Sequence, residues 1–402
     1  MDKQTQDSQE MLSEGNPADN NQAQAADEGS ERIHPENADA QTDGADSRDG
    51  QKSQNKWVKS VPLLIVEICV LALAIGIMYI VVTATEEVDR KEIDEEKIAI
   101  NEEIVEILQD EESDVVMGYR NIALFGVDAR DGELGRGTRS DTIIIASINQ
   151  DTKEIKLISV FRDTYLNLGN DTYNKCNAAY AQGGPEQAIS MLNTNLDLDI
   201  TDYVTVGFGG LIDSVDALGG VEMNVTEAEI SHLNNYQLSM AEELGVDYTP
   251  IEHSGKQLLN GMQATAYCRI RYTKGDDFRR AERQRDVLTA MMEKAKKASV
   301  SSLSDMVTAI LPQVETSLGV NEILSVLGSV ASYDVVTSDG FPFVDNRRGA
   351  NVGSKGSCVI PENLEENVIE LHKMLYPEIV YKPSKQVSGI SVEITELTKE
   401  YQ

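Results

Sequence analysis

Tyr267-Cys268-Arg269-Ile270-Arg271-Tyr272-Thr273-Lys274-Gly275-Asp276-Asp277-Phe278-Arg279-Arg280-Ala281-Glu282-Arg283-Gln284-Arg285 carries six of the sixteen arginines in a 402-residue chain of formal net charge −33. No arginine occurs between Asp163 and Cys268, so the stretch is a cationic island in an acidic protein. Cys268-Arg269-Ile270-Arg271 alternates apolar and cationic residues, which predicts a strand with Arg269 and Arg271 on one face. Gly275-Asp276-Asp277 predicts a turn, with an aspartate as N-cap of the helix that follows. On that helix Arg280, Arg283, Gln284, Val287, Leu288 and Met291 recur at helical spacing, so polar groups run into a buried stripe. Arginines in a first turn oppose the helix macrodipole, and guanidinium forks beside a helix N-terminus suit an external phosphate. The competing reading is a solvated face neutralised by Asp276, Asp277 and Glu282.

Upstream, strands are expected at 121–127, 142–148 and 155–161, the last two joined by the turn Asn149-Gln150-Asp151-Thr152. Each begins or ends at charge: Asp128 and Arg130, Arg139 and Asp141, Arg162 and Asp163. Strands sharing an edge bring such groups together, and sites on α/β sheets sit at strand ends. Beyond them, a helical stretch from Asn174-Lys175 breaks at Gly183-Gly184 and restarts at Pro185. Further strands are expected at 203–208, 221–225 and 359–361, with helices at 211–218, 261–266, 286–298, 303–314, 321–330 and 364–375. The polar, poorly periodic segment 231–252 reads as a surface excursion. The mixture predicts a single three-layer α/β/α domain with a mixed central sheet, spanning 118–381, and a C-terminal tail over 382–402.

The N-terminal third has a different logic. Residues 1–55 are nearly free of large apolar side chains and form an acidic tail that cannot bury enough surface to order itself. Residues 56–84 contain an apolar run long enough to cross a bilayer as one helix. Lys52, Lys56 and Lys59 precede the run and Glu86 and Glu87 follow it, which puts the N-terminus in the cytoplasm and the domain outside. Glu67 within the run costs about 2.5–3.5 kcal/mol on insertion scales unless neighbouring Leu, Ile and Val offset it. Residues 85–117 read as a short stalk helix. The acidic balance argues against nucleic-acid binding. Four cysteines without C-x-x-C spacing argue against a zinc site, and free thiols are expected.

The polar groups at strand ends make a recipe for phosphoryl chemistry. Guanidiniums clamp phosphate oxygens and neutralise developing charge, while carboxylates hold Mg²⁺ or take a proton from an attacking hydroxyl. No P-loop motif occurs, and the four histidines form no metal pattern.

Five motifs in order carry a family resemblance. They are Gly126-Val127-Asp128-Ala129-Arg130, Arg139-Ser140-Asp141-Thr142, Ser159-Val160-Phe161-Arg162-Asp163-Thr164 with Asn174-Lys175, Arg269-Ile270-Arg271, and Asp277-Phe278-Arg279-Arg280-Ala281-Glu282-Arg283-Gln284. Together they resemble the LytR-CpsA-Psr family over about residues 119–381. The resemblance implies a membrane-anchored external phosphotransferase. Such an enzyme moves an anionic glycopolymer (wall teichoic acid, capsule or similar) from polyprenyl pyrophosphate to peptidoglycan, with Mg²⁺, or Mn²⁺ in its place. Carried over by motif, Asp128 and Asp141 are the metal ligands. Arg139, Arg162, Lys175, Arg269, Arg271, Arg280 and Gln284 bind the pyrophosphate, with Arg269 and Arg271 also catalytic. Asp277 is the candidate base or an orienter, with Asp276 as its rival. Arg279 stands where the family usually has Gly. The alternative is a non-catalytic protein of the cell envelope that binds polyprenyl phosphate or anionic polymer, though anion binding alone does not call for Asp128, Asp141 and Asp277.

Overall fold

In the computed structural model, residues 89–90, 93, 98–100, 118–128, 134–271, 273 and 276–401 are described. The expected acidic tail (1–55) and membrane anchor (56–84) fall outside them. Strand β1 is Asp89–Arg90, followed by β2 (Tyr119–Val127), β3 (Ser140–Asn149), β4 (Glu154–Val160), β5 (Tyr165–Asn167) and β6 (Tyr173–Lys175). Helix α1 (Asn177–Leu196) leads to β7 (Asp202–Val206), α2 (Phe208–Ala217), β8 (Val221–Val225), α3 (Glu227–Leu244) and β9 (Gly255–Leu259). Next come α4 (Gly261–Arg269), α5 (Asp276–Ala295), α6 (Val300–Ile310), β10 (Val314–Thr316), α7 (Val320–Ser329) and β11 (Asp334–Phe341). The chain closes with β12 (Arg347–Asn351), β13 (Ser357–Pro361), α8 (Leu364–Leu375) and α9 (Lys385–Thr398).

The central sheet has the order β1-β10-β7-β2-β3-β4-β11 and mixes parallel with antiparallel pairs. Residues of β2, β3 and β4 are apolar on both faces, as a sheet covered twice requires. Ala123, Ile145 and Ile158 pair across the three strands and are fully buried under α1, α8 and α9. On the opposite face Leu124 pairs with Ile144 and Ala146 with Leu157, packed against Leu288 and Met292 of α5. The expected layered α/β architecture with a mixed central sheet is therefore observed. Helix α1 kinks where glycine and proline break it: Gly184 has φ 71° and ψ −155°, and Pro185 follows.

Three expectations are corrected. The segment 231–252 is mostly helical, because α3 opens with a capping box in which Thr226 and Glu229 satisfy each other's end of the backbone. The stretch 85–117 is not helical where described: Asp89 and Arg90 extend the sheet beside β10, and Ile98 is buried in the main core. The C-terminal segment is helical in α9, capped by Ser384, with Val387, Ile390 and Ile394 buried along one stripe. Asp197 ties this segment down by accepting hydrogen bonds from the Ser384 amide at 2.8 Å and the Ser384 hydroxyl at 2.7 Å.

His372 of α8 is buried, 2.8 Å from the Leu196 carbonyl and stacked 3.6 Å from the Tyr381 ring. Burial pulls its pKa from 6.5 down to about 4, against the pull of the Leu196 carbonyl and Asp197. The unfolded chain therefore takes up the proton first as pH falls. The contribution of this group to stability is complete above pH 6.5 and fades towards pH 4, by about 3 kcal/mol at ~1.4 kcal/mol per pH unit. Urea unfolding from pH 7 to pH 4 should show that slope in the native chain and lose it in His372→Gln.

Candidate active site

One edge of the sheet collects the charge. Strand β3 runs antiparallel between β2 and β4, so its start lies beside their ends. The register slips there: Gly126 pairs with Thr142, but Val127 pairs with Ser140. Asp141 is thus the extra residue of a β-bulge, a device that re-aims a side chain beside a site. Gly126 is required opposite it, since a Cβ there would meet the Thr142 Cβ at 2.8 Å. The bulge hands Asp141 to two arginines: Oδ1 accepts from Arg162 Nη1 at 2.5 Å, and Oδ2 from Arg271 Nη2 at 3.2 Å. Asp163 extends the network to Arg162 at 3.6 Å and Lys175 at 3.1 Å.

The other half arrives on helices. Cys268-Arg269-Ile270-Arg271 is not a strand. Arg269 ends α4, Ile270 turns extended at ψ 123°, and Arg271 follows. Arg271 therefore meets Asp141, while Arg269 lies over the rings of Phe208 at 4.5 Å and Tyr236 at 5.4 Å. Asp277, in the first turn of α5, pairs with Arg280 at 3.1 Å and Arg271 at 3.8 Å. Its neighbour Asp276 is exposed, so Asp277 is the aspartate in the cluster. Arg280 is 4 % exposed and donates to the Asp141 carbonyl at 3.3 Å, but its Nε makes no hydrogen bond among the described residues. Burial lowers its pKa to about 10; Asp277 lifts it, and Arg271 and Arg162 crowd it further down. Such a group is poised for an anion. Arg279 binds Glu282 at 2.6 Å and lies near Asp286 at 3.8 Å, so helix neighbours already engage it.

A cavity of about 450 Å³ opens against the cluster. Its walls are apolar (Leu124, Val206, Phe208, Leu211, Val287, Met291), with Asp128, Asp141, Arg269, Arg271, Arg280 and Gln284 set into them. Arg162, Asp163 and Asp277 line a smaller cavity that shares Asp141, Arg280 and Gln284 with the first. Cys268 also faces the large cavity, and burial pushes its thiol up to about 12, which makes it inert wall material. Cys176, Cys268 and Cys358 are free. Among the expected site residues, Arg139 is exposed at the foot of β3 and lines neither cavity, and Lys175 also lines neither but pairs with Asp163. Arg130 falls outside the described residues. Sequence reasoning missed Tyr236 and Phe208, whose rings support Arg269; Tyr236 lies on α3, within the segment whose weak periodicity suggests a surface excursion.

The implied Mg²⁺ would find few carboxylate donors here. Among the described residues no group of three or more His, Cys, Asp or Glu side chains could hold a metal. Asp128 and Asp141 line one cavity, and both oxygens of Asp141 face arginines. Such a set suits a magnesium ion that arrives on phosphates and takes one or two carboxylates from the protein.

The model of the LytR_cpsA_psr family matches residues 77–352. The polyisoprenyl-teichoic acid–peptidoglycan teichoic acid transferase TagU of Enterococcus faecalis is 35% identical over 207 residues, 50% of this chain and 63% of that protein. The chain thus spans just under two thirds of that relative. In structure, a Streptococcus agalactiae protein superposes with TM-score 0.54 at 24% identity, covering 70% of this chain and 92% of that one. TagT bound to LI-WTA gives 0.52 at 21%, covering 67% and 94%. These two likenesses carry the fold. With the family model covering well over half its length, the chain belongs to the LytR-CpsA-Psr family.

Proposed function

We propose that this protein is a membrane-anchored phosphotransferase, its domain outside the cell. It moves an anionic glycopolymer from a polyprenyl-pyrophosphate carrier to peptidoglycan. The observation that carries this reading is an apolar cavity with Arg269, Arg271 and Arg280 set in its wall beside Asp128 and Asp141. The cavity suits a prenyl chain, whose burial contributes about 25 cal/mol per Å², and the guanidiniums suit the diphosphate at its head. The teichoic acid transferase that the chain resembles supports the substrate class.

In the reaction, a hydroxyl oxygen of peptidoglycan attacks the phosphorus that bears the glycopolymer. The bond from that phosphorus to polyprenyl phosphate breaks, and the hydroxyl proton goes to a carboxylate. Asp277 is placed to receive it, since it faces the smaller cavity while holding Arg271 and Arg280. Arg162, Arg271 and Arg280 stabilise charge on the phosphoryl oxygens. Mg²⁺ held by Asp128 and Asp141 would neutralise the diphosphate.

One observation favours the binding-only alternative. Asp141, Asp163 and Asp277 are each ion-paired with a cation, so carboxylates here also serve to prop guanidiniums. The test is mass spectrometry of the full chain with polyprenyl-pyrophosphate oligosaccharide, peptidoglycan fragments and Mg²⁺. Release of polyprenyl phosphate, lost in Arg271→Ala, is expected. Tight lipid binding without release would establish the alternative.

A further inference from the structure

The ionic cluster is a wall between two cavities. Asp141, Thr142, Arg280 and Gln284 line both the apolar cavity and a second one of about 170 Å³ on β4 and the start of α5. The second cavity has a different chemistry. Asp163 and Asp277 line it, with Ser159, Phe161 and Phe278. Phe278 meets Phe161 edge to face at 4.7 Å, and the Arg347 guanidinium lies 3.9 Å above the Phe278 ring. That packing holds Phe278 in place at 37 % exposure.

Five buried polar atoms on this lining have no hydrogen-bond partner among the described residues. Arg162 Nε, Asp277 Oδ1 and Arg280 Nη1 lie in ion pairs; the other two are Ser159 Oγ, on a residue 2 % exposed, and Arg280 Nε. Leaving such an atom unsatisfied is costly, and in native proteins each one asks for an explanation, such as a ligand. Hydroxyl groups would satisfy both, donating or accepting at Ser159 and accepting from Arg280.

Resting on the reaction proposed above, we infer that the second cavity is the subsite for the sugar ring whose hydroxyl attacks, with Phe278 as its apolar ledge. In phosphoryl transfer the attacking and leaving oxygens lie roughly in line through phosphorus. The leaving prenyl phosphate takes the apolar cavity, so the nucleophile enters from the far side of the Asp141–Arg280 wall, where the second cavity lies. At about 170 Å³ against about 450 Å³ for the apolar cavity, it has room for one ring and too little for a prenyl chain. Desolvating Asp163 and Asp277 against hydrocarbon would also be costly. Carboxylates, a hydroxyl and an aromatic face instead match the hydroxyls and C–H face of a carbohydrate. The same chemistry would accept the first sugar of the donor; the in-line requirement assigns the cavity to the acceptor.

The probe is a peptide-free tetrasaccharide of the peptidoglycan glycan strand, titrated into the full chain in detergent by saturation-transfer NMR. Phe278→Ala should weaken binding at least tenfold and Phe278→Trp should restore it. Ser159→Ala, which removes an unsatisfied hydroxyl and leaves the fold intact, should weaken it several-fold. In turnover, Phe278→Ala should raise KM for the acceptor about tenfold and KM for the polyprenyl donor less than twofold. Unchanged tetrasaccharide binding in both alanine variants overturns the proposal. So does a rise confined to the donor KM, which would place the donor's sugar here. Absence of polyprenyl phosphate release from the native chain would sink the reaction and leave the binding arm to decide the subsite.

Discussion

Arg280→Ala is expected to lower turnover by about a thousandfold or more, the scale on which a guanidinium that meets transition-state charge contributes to phosphoryl transfer. Arg280 stands between both cavities, pairs with Asp277 at 3.1 Å and keeps two guanidinium nitrogens, Nε and Nη1, without a hydrogen bond among the described residues in a buried place. An arginine kept for folding alone would have its hydrogen bonds satisfied. The loss should fall on kcat, with KM for the donor changing far less, because the charge that the guanidinium meets grows on the phosphoryl oxygens only in the transition state. Arg280→Lys retains the charge without the planar fork and should recover only part of the rate. Stability should move the other way. Arg280→Met removes a poorly satisfied buried charge, and thermal unfolding without ligand should show a gain of about 1 kcal/mol. A fall in both activity and stability would instead make Arg280 a structural residue.

How far the sequence carries this picture differs from element to element. The strand-end carboxylates were legible because strongly apolar runs of seven to ten residues announce β2, β3 and β4, and charge brackets each. Antiparallel pairing of neighbours then places Asp128, Asp141 and Arg162 on one edge without further information. The bulge that aims Asp141 was invisible, since a slip of one residue leaves no mark on an apolar pattern. Cys268-Arg269-Ile270-Arg271 misled for a related reason: over four residues, alternation cannot separate a strand from a helix end. Helix α3 was hidden because its buried stripe includes Glu229 and Gln237 beside Leu233 and Met240. Its capping box, Thr226 followed three residues later by Glu229, was nevertheless readable, as was the apolar stripe of α9.

Glu229 also underlies the second large effect, a loss of about 3–5 kcal/mol on breaking its pair with Arg283. Both residues are almost fully buried, at 2 % and 1 % exposure, and Arg283 Nε donates to Glu229 Oε1 at 2.8 Å. The rest of the guanidinium is spent on the chain that carries the active-site arginines: Nη1 donates to the Ile270 carbonyl at 3.0 Å and Nη2 to Thr273 Oγ1 at 2.6 Å. Glu229 meanwhile caps α3 by accepting from the Thr226 amide at 2.8 Å. One ion pair thus joins α3, α5 and the turn between Arg269 and Arg271. Glu229→Ala leaves Arg283 as an uncompensated buried charge and should lower the midpoint of chemical unfolding by the full amount. The double variant Glu229→Leu, Arg283→Met removes both charges together and should regain much of that stability, as buried pairs replaced by apolar residues do elsewhere. It cannot regain the hydrogen bonds to Ile270 and Thr273. Turnover in the double variant should therefore stay well below the native level even where the fold is restored. Were turnover to return with stability, the pair would be a device of the fold alone, and the placement of Arg271 would have to come from Asp141 and Asp277.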